Sequence, residues 1–305
     1  MHTSDSHLVP SERVVTALAD RRRTILEVIG RAAHRLSLSI FRCNDDAVME
    51  GLASAVARGV VVDVLTTSRA ARGGRKRLEK LRKKLSRVGV TVHAYPDAVV
   101  KYHAKYLIAD DGPAIVGSLN LTRKCFTGTC DAFVVTHDPE IVAGLQRLMA
   151  ADRVGQPVAA PLNGRLLVGP GGARERFKEI IETACSSIRL IDPKLSDPEF
   201  LQLLAVQRAA GLRVSVYDTR WLGDLKSHGK IMLVDDRLAV IGSASLASVS
   251  LDRRREVSII VEEPSAVAQV VELFNAVAAV SVRTRGGSPQ AGVRLSVGGP
   301  GRFAA

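Results

Sequence analysis

Two stretches of the chain repeat one pattern of chemically capable residues. His103, Lys105 and Asp110 are followed by Gly117-Ser118. His228, Lys230 and Asp235 are followed, at the same spacing, by Gly242-Ser243. An imidazole near neutral pH can attack phosphorus or move a proton, and an ammonium group beside it can neutralise an anionic substrate. Residues 101–109 and 228–234 read as strands. On a strand alternate side chains share a face, so each His projects beside its Lys. Each Asp lies five beyond the Lys, at opposite parity, and Asp110-Asp111-Gly112-Pro113 has turn composition. Asp110 and Asp235 are therefore read first as framework residues and second as charge-orienting ones. Short strands at 114–116 and 238–241 lead into the Gly-Ser pairs, where glycine lets the backbone come close to a ligand.

The elements that must position these residues repeat as well. Near the motifs the two copies are 125 residues apart, an offset that also relates Asp131 to Glu256. Earlier in each copy the offset is 152. It relates Arg42 to Lys194, Asp45 to Asp197, Leu52 to Leu204, Gly59 to Gly211 and Val64 to Val216. The first copy thus carries 27 extra residues before its motif. Each copy reads as a strand, a polar helix start, a helix ending at glycine, a β-branched strand and then the motif strands. Alternating β and α elements imply an α/β fold of mixed sheets flanked by helices. The expected organisation is a first half over 15–152, a linker over 153–166, a second half over 167–282 and a Gly/Pro/Ser-rich flexible tail over 283–305.

The pattern H-x-K-x4-D-x6-G-S, present twice, resembles the phospholipase D superfamily. The resemblance covers both copies, roughly residues 20–282 by element order, and implies two sandwich-like halves with one active site between them. It implies that one His forms a phosphohistidine while the other serves as general acid and base, with His103 as nucleophile and His228 as acid. Lys105 and Lys230 would neutralise the non-bridging oxygens. Asn120, Ser118, Ser243 and Ser245 would line the phosphate. An acid at the place of Asp131 and Glu256 would hold a motif His through its other ring nitrogen; the plainer reading of each is a surface or salt-bridged acid. Copy two has Ser245 where copy one has Asn120, which puts a symmetric phosphate cradle in doubt. No metal and no cofactor is expected.

The substrate is less legible. Ten of the 43 Lys/Arg but only one of the 31 Asp/Glu lie in residues 69–87 of a chain with net charge +12. With Leu78, Leu81, Leu85 and Val88 at helical spacing, residues 68–88 read as a basic amphipathic helix. It can be a solvated helix, a contact for anionic lipid headgroups or a contact for nucleic-acid phosphates. Tyr217 and Trp221 can border a headgroup or stack on a base, with core packing as the plainer use. Arg42 and Lys194 can stand at the mouth of the site, or simply be exposed. Cys43, Cys125, Cys130 and Cys185 have no metal-ligand spacing and read as ordinary residues of a reducing compartment. No apolar run reaches membrane-spanning length. The chain is read as a soluble cytoplasmic enzyme, with peripheral attachment to an anionic membrane through 69–88 as an option. The leading function is a phospholipid phosphodiesterase or phosphatidyltransferase. The alternatives are a metal-independent nuclease for DNA or RNA, and a non-catalytic anion-binding module.

Overall fold

Aspartate caps and left-handed glycines frame both copies in the computed structural model, which describes residues 11–69, 74–158 and 160–284. The first half runs β1 (Glu12–Val15), α1 (Leu18–Arg31), β2 (Arg35–Ser39), α2 (Asp46–Ala57), β3 (Val61–Thr67), α3 (Arg75–Arg87) and β4 (Thr91–Tyr95). It continues with β5 (Lys101–Tyr102), β6 (Tyr106–Ala109), β7 (Ala114–Gly117), α4 (Arg123–Thr127), β8 (Thr129–Cys130), β9 (Phe133–Thr136) and α5 (Pro139–Val154). The second half runs β10 (Leu166–Val168), α6 (Ala173–Glu182), β11 (Ser187–Ile191), α7 (Pro198–Ala209), β12 (Arg213–Tyr217), β13 (Trp221–Leu222) and β14 (Leu225–Ser227). It ends with β15 (Ile231–Val234), β16 (Leu238–Gly242), α8 (Ser248–Arg253), β17 (Arg254–Arg255), β18 (Val257–Val261) and α9 (Pro264–Thr284). Asp45 caps α2 through Val48 N, and Asp197 caps α7 through Glu199 N. Gly59 and Gly211 follow these helices with φ of 87° and 98°, a turn that favours glycine. The expected tail from 285 onward lies outside the described residues.

The two large sheets have the same topology. The first is ordered β1-β9-β7-β6-β2-β3-β4 and the second β10-β18-β16-β15-β11-β12. Strand for strand they match, apart from β4. The 27-residue excess is therefore a helix and a strand, α3 and β4, added by a parallel crossover beyond β3. The basic helix begins at Arg75 rather than 68, and residues 70–73 lie outside those described.

Period-two alternation divides the core. Tyr106, Ile108, Val116, Ile231, Leu233, Ile241, Val257 and Ile259 all face one central cluster, shared with α5 and α9. The alternate residues Leu107 and Ile115 face α1 and α2, while Met232, Val240 and Ile260 face α6 and α7. Both sheets thus carry near-continuous apolar strands because both of their faces are covered.

The strand expected over 101–109 is two strands, β5 and β6, and the one expected over 228–234 begins only at Ile231 as β15, with β14 ending just before it. β5 and β14 leave their own sheets and pair with the opposite half: β5 lies parallel to β17, and β14 parallel to β8. His103 to Lys105, and His228 to Lys230, bridge the resulting breaks.

Asp110 and Asp235 are framework residues by geometry. Their φ values of 48° and 54° lie in the left-handed region, which aspartate tolerates. Asp110 accepts from the amides of Ala33, His34 and Arg35 at 2.7–2.8 Å. Asp235 accepts from Cys185, Ser186 and Ser187 at 2.7–2.8 Å. Each ties the turn before the first parallel strand to the end of the motif strand. Asp110→Ala should cost about 2–3 kcal/mol of stability in urea titration, since bonds to a charged acceptor are lost. The folded variant should keep its turnover within about twofold; a catalytic collapse at unchanged stability would reject the framework role.

Candidate active site

The strand pairs between halves place each motif His beside the acid of the other copy. β5 next to β17 brings His103 to Glu256, with His103 Nδ1 2.8 Å from Glu256 Oε2. β14 next to β8 brings His228 to Asp131, with His228 Nδ1 2.9 Å from Asp131 Oδ1. Backbone bonds hold the registers: His103 N donates to Arg255 O, and Gly229 N to Cys130 O. Each half supplies the imidazole of one pair and the carboxylate of the other.

Both carboxylates are wholly buried and well supplied with donors. Asp131 accepts from Ser118 Oγ at 2.7 Å and Thr129 Oγ1 at 2.6 Å. Glu256 accepts from Ser250 Oγ at 3.0 Å. Burial opposes their charge, yet His228 and Lys230 hold Asp131 down at about 2, and His103 and Lys105 hold Glu256 down at about 2. Both acids are therefore ionised at neutral pH. Burial, with Lys105 and Lys230 adding to it against Glu256, pushes His103 down to about 3. His228 is lowered in the same way, against Asp131, and its side chain is 30% exposed where that of His103 is 11%.

A neutral imidazole that donates Nδ1–H to a carboxylate presents an unprotonated Nε2. The two lysines stand beside these rings. Lys105 Nζ lies 3.2 and 3.3 Å from the two ring nitrogens of His103 and donates to His103 O at 2.7 Å. Lys230 Nζ donates to His228 O. Burial lowers Lys105 to about 7, with Lys230 as a further cause. A bound phosphodiester would supply the negative charge these groups lack. The arrangement can therefore bind an anionic phosphorus ester, attack it with nitrogen and exchange a proton.

The described geometry changes several expectations. Gly117 and Gly242 are required by the sheet itself: a Cβ would lie 2.6 Å from Phe133 Cβ and 2.3 Å from Ser258 Cα. The hydroxyls of Ser118, Ser243 and Ser245 are each engaged by protein groups. Ser118 serves Asp131. Ser243 faces Val257, accepting from its amide and donating to its carbonyl. Ser245 donates to Asp192 at 2.6 Å. Asp192 is buried and also accepts from Leu246 N and Lys194 N. By the 152 offset it replaces Ile40, so copy two has exchanged an Ile–Asn pair for an Asp–Ser pair. Asn120 alone of the four keeps a buried side-chain oxygen without a hydrogen-bond partner, and it lines a narrow cavity with Lys105. Tyr217 packs on Phe274, whereas Trp221 is exposed rather than in the core.

Two residues carried no motif signal. Phe41 packs against His103 with the rings tilted by 59° and their centroids 4.6 Å apart. Arg21 is 1% exposed, and its guanidinium donates to the carbonyls of Thr16, Cys125, Thr129 and Asp131. It fixes the loop that carries the acid. Its position on a helix amid Arg22 and Arg23 gave no hint of burial.

The histidines also make stability depend on pH. Unfolded, each binds a proton below about 6.5; folded His103 does so only near 3. The unfolded state thus binds more protons, and stability falls with acidification from about pH 7 toward pH 3. The carboxylates add a loss below about pH 4.5 as they approach their folded values of about 2. Between pH 7 and 5 His103 should contribute a loss of about 1–2 kcal/mol. Thermal melts of His103→Asn should show a shallower decline over that interval; an equal decline would contradict the assignment.

Residues 25–153 and 186–278 match the family model described as "Cardiolipin synthase, PLD-like domain". Cardiolipin synthase A from Pseudomonas aeruginosa, in strains LESB58 and UCBPP-PA14 alike, is 31% identical over 159 residues. That region is 48% of this chain and 31% of the relative, so the match spans under a third of the relative's length. Phosphatidylserine synthase from Haemophilus influenzae is similar in structure, with TM-score 0.68 at 14% identity, over 88% of this chain and 86% of that one. Polyphosphate kinase from Porphyromonas gingivalis gives TM-score 0.70 at 18% identity, over 90% of this chain and 47% of that one. At such identities the likeness is one of fold.

Proposed function

The chain belongs to the phospholipase D-like family that carries the cardiolipin synthase domain, and on that premise we propose that it is a phosphatidyltransferase or phospholipid phosphodiesterase. The observation that carries the reading is the crossed pair of imidazole–carboxylate contacts with a buried lysine beside each imidazole. His103 Nε2 attacks phosphorus, and the phosphorus–oxygen bond to the leaving group breaks. His228, protonated once the anionic ester is bound, gives its proton to the leaving oxygen. It then takes the proton of an incoming water or alcohol, whose oxygen displaces His103 from phosphorus. Glu256 and Asp131 orient the rings and stabilise their cationic forms. Lys105 and Lys230 neutralise the non-bridging oxygens, joined by Asn120.

The lipid reading is supported by the family match and by the basic helix. α3 buries Leu81 and Leu85 and exposes Lys76, Arg77, Lys80, Lys83 and Arg87. Arg82 is occupied by Thr67 O, and Lys84 stands 3.8 Å from Asp46. Among the described residues no helix is long and apolar enough to cross a membrane. A basic face of this kind fits an anionic bilayer surface, at about 1 kcal/mol per cation. The triple variant Lys76→Gln/Lys80→Gln/Lys83→Gln should lose on the order of a hundredfold in binding to phosphatidylglycerol vesicles in co-sedimentation. Unchanged binding would remove α3 from the reading.

The function is tested by a panel of phospholipid vesicles and of single- and double-stranded nucleic acids, all in EDTA. Headgroup release or transfer from anionic phospholipid is expected. Nucleic-acid cleavage without lipid turnover would replace the reading with a nuclease. Anion binding with no turnover and no phosphoenzyme would replace it with a binding module.

A further inference from the structure

The two imidazole–carboxylate pairs differ in the residue that stands third. Beside the His103–Glu256 pair, Ser250 donates its hydroxyl to Glu256 Oε1 at 3.0 Å. The 125 offset relates Ser250 to Cys125. At the His228–Asp131 pair a thiol therefore takes the place of the hydroxyl. Cys125 Sγ, a carboxylate oxygen of Asp131 and a ring nitrogen of His228 all lie within 4.8 Å of one another. The nitrogen that faces Asp131 is Nδ1, at 2.9 and 3.1 Å from its two oxygens. The surroundings hold these groups in place. Cys125 and Asp131 are both buried. Arg21 donates to the backbone carbonyls of both, at 3.0 and 2.6 Å. Thr129 Oγ1 lies 2.6 Å from Asp131 Oδ2 and 3.3 Å from Cys125 O. Outer contacts of this kind orient the ligands of a metal ion.

Resting on the catalytic reading above, we propose that Cys125, Asp131 and His228 form an inhibitory site for a zinc ion, which silences the general acid. Thiolate sulfur, imidazole nitrogen and carboxylate oxygen are donors that zinc takes, at about 2.3, 2.0 and 2.1 Å. In a tetrahedron such bonds set the donor atoms about 3.5 Å apart. Small side-chain rotations reach that spacing, with the Nδ1–carboxylate contact opening and the thiol closing in. Binding releases the Cys125 proton to solvent, as a thiolate ligand requires. The Nδ1 proton of His228 leaves and Nε2 gains one, so the ring stays neutral. Nδ1 then gives its lone pair to the ion. Thiolate and carboxylate cancel the charge of zinc, and the finished site has no net charge. Nε2 now carries a hydrogen and no lone pair, so it cannot take the proton of a water or alcohol. A neutral ring also has no proton acidic enough for a basic leaving oxygen. The ion bridges the halves, since Cys125 and Asp131 come from the first and His228 from the second. Ser250 offers the other pair only a hydroxyl, a poor zinc ligand beside a thiolate. The His103–Glu256 pair therefore stays free to attack phosphorus.

The test is binding of cobalt(II) and zinc to the full chain and to Cys125→Ser, which reproduces the Ser250 arrangement. Cys185→Ser, at an exposed thiol, is the control. Cobalt on a thiolate gives a charge-transfer band in the near ultraviolet. One equivalent should produce it in the native chain and in the control, zinc should displace it, and Cys125→Ser should lack it. Zinc should raise the melting temperature of the native chain and not of Cys125→Ser. In EDTA, Cys125→Ser should keep its turnover within about twofold. With a p-nitrophenyl phosphodiester, zinc should spare the burst and slow steady turnover about a hundredfold. EDTA should reverse this, and Cys125→Ser should resist it. Cys125→Ala replaces the serine variant if that one melts early in EDTA. No cobalt band, a band that survives loss of the Cys125 thiol, or equal zinc inhibition with and without that thiol would each overturn the proposal. Metal binding needs no turnover. A Cys125-dependent band in a protein without phosphodiesterase activity would overturn the catalytic reading, and with it the inhibition, while the metal site stands. Turnover that zinc leaves unchanged, with no band, would remove the metal site and keep the catalytic reading.

Discussion

His103→Asn should abolish the covalent phosphoenzyme with every substrate, while His228→Asn should let it accumulate when the leaving group is good. The reasoning lies in the two steps. Attack needs the unprotonated Nε2 of His103, which the Nδ1 contact to Glu256 exposes. Asparagine has no nitrogen lone pair to offer phosphorus, so turnover should fall about ten-thousandfold or more, whatever leaves. His228 is needed as an acid only where the departing oxygen is basic. With a p-nitrophenyl phosphodiester the first step needs no proton, and His228→Asn should give a burst of p-nitrophenolate followed by slow dephosphorylation. With an alkyl ester both variants should be nearly dead. Rapid-quench measurement of acid-labile, base-stable phosphate on the protein separates the cases. A burst in His103→Asn but none in His228→Asn would exchange the two roles. Bursts in both variants would reject the single shared site.

Much of the site's geometry was legible because it depends on residue types at fixed spacing. The His–Lys pairs, the framework aspartates and the paired acids recur at one offset. A recurrence of that kind reflects one unit used twice. What the spacing could not tell was where each side chain points. Ser118 and Ser243 follow glycines next to the motif and looked like phosphate ligands. Their hydroxyls are hydrogen-bonded to Asp131 and to the Val257 backbone. Ser245 was a visible departure from Asn120, but its partner Asp192 lies 53 residues away, and only the fold joins them. Phe41 and Arg21 were silent for a like reason. A phenylalanine after an apolar strand and an arginine in a basic run each have an ordinary reading until tertiary contacts select another.

The fold was legible where local rules act. The caps at Asp45 and Asp197 and the glycines at 59 and 211 mark the same helix ends in both copies. β1 was missed because four residues beside a charged helix carry little pattern, and its pairing partner, β9, is over a hundred residues on. The motif strands were drawn as continuous for a deeper reason. Lys101 to Ala109 has acceptable strand composition throughout, but β5 is drawn out of its sheet by hydrogen bonds to the other half. No single-copy pattern contains that information.

The crossing itself has the second large consequence. Because Glu256 holds His103 and Asp131 holds His228, each acid should be coupled to the imidazole of the other half and uncoupled from its own copy's. Glu256→Gln should slow phosphoenzyme formation on the order of a hundredfold, since the Nδ1 proton loses its charged acceptor and the ring loses its orientation. Added to His228→Asn it should slow the p-nitrophenolate burst by the same factor, because the two changes act on different steps. Asp131→Asn should leave the burst nearly intact and slow dephosphorylation. On top of His228→Asn it should add little, because the ring it orients is already gone. A double-mutant cycle therefore reads the topology directly. Coupling of Glu256 to His228 and of Asp131 to His103 would mean that each half holds its own pair. Coupling across the halves would mean that neither half carries a complete catalytic pair, and that docking the sheets through β5–β17 and β14–β8 is what creates the site.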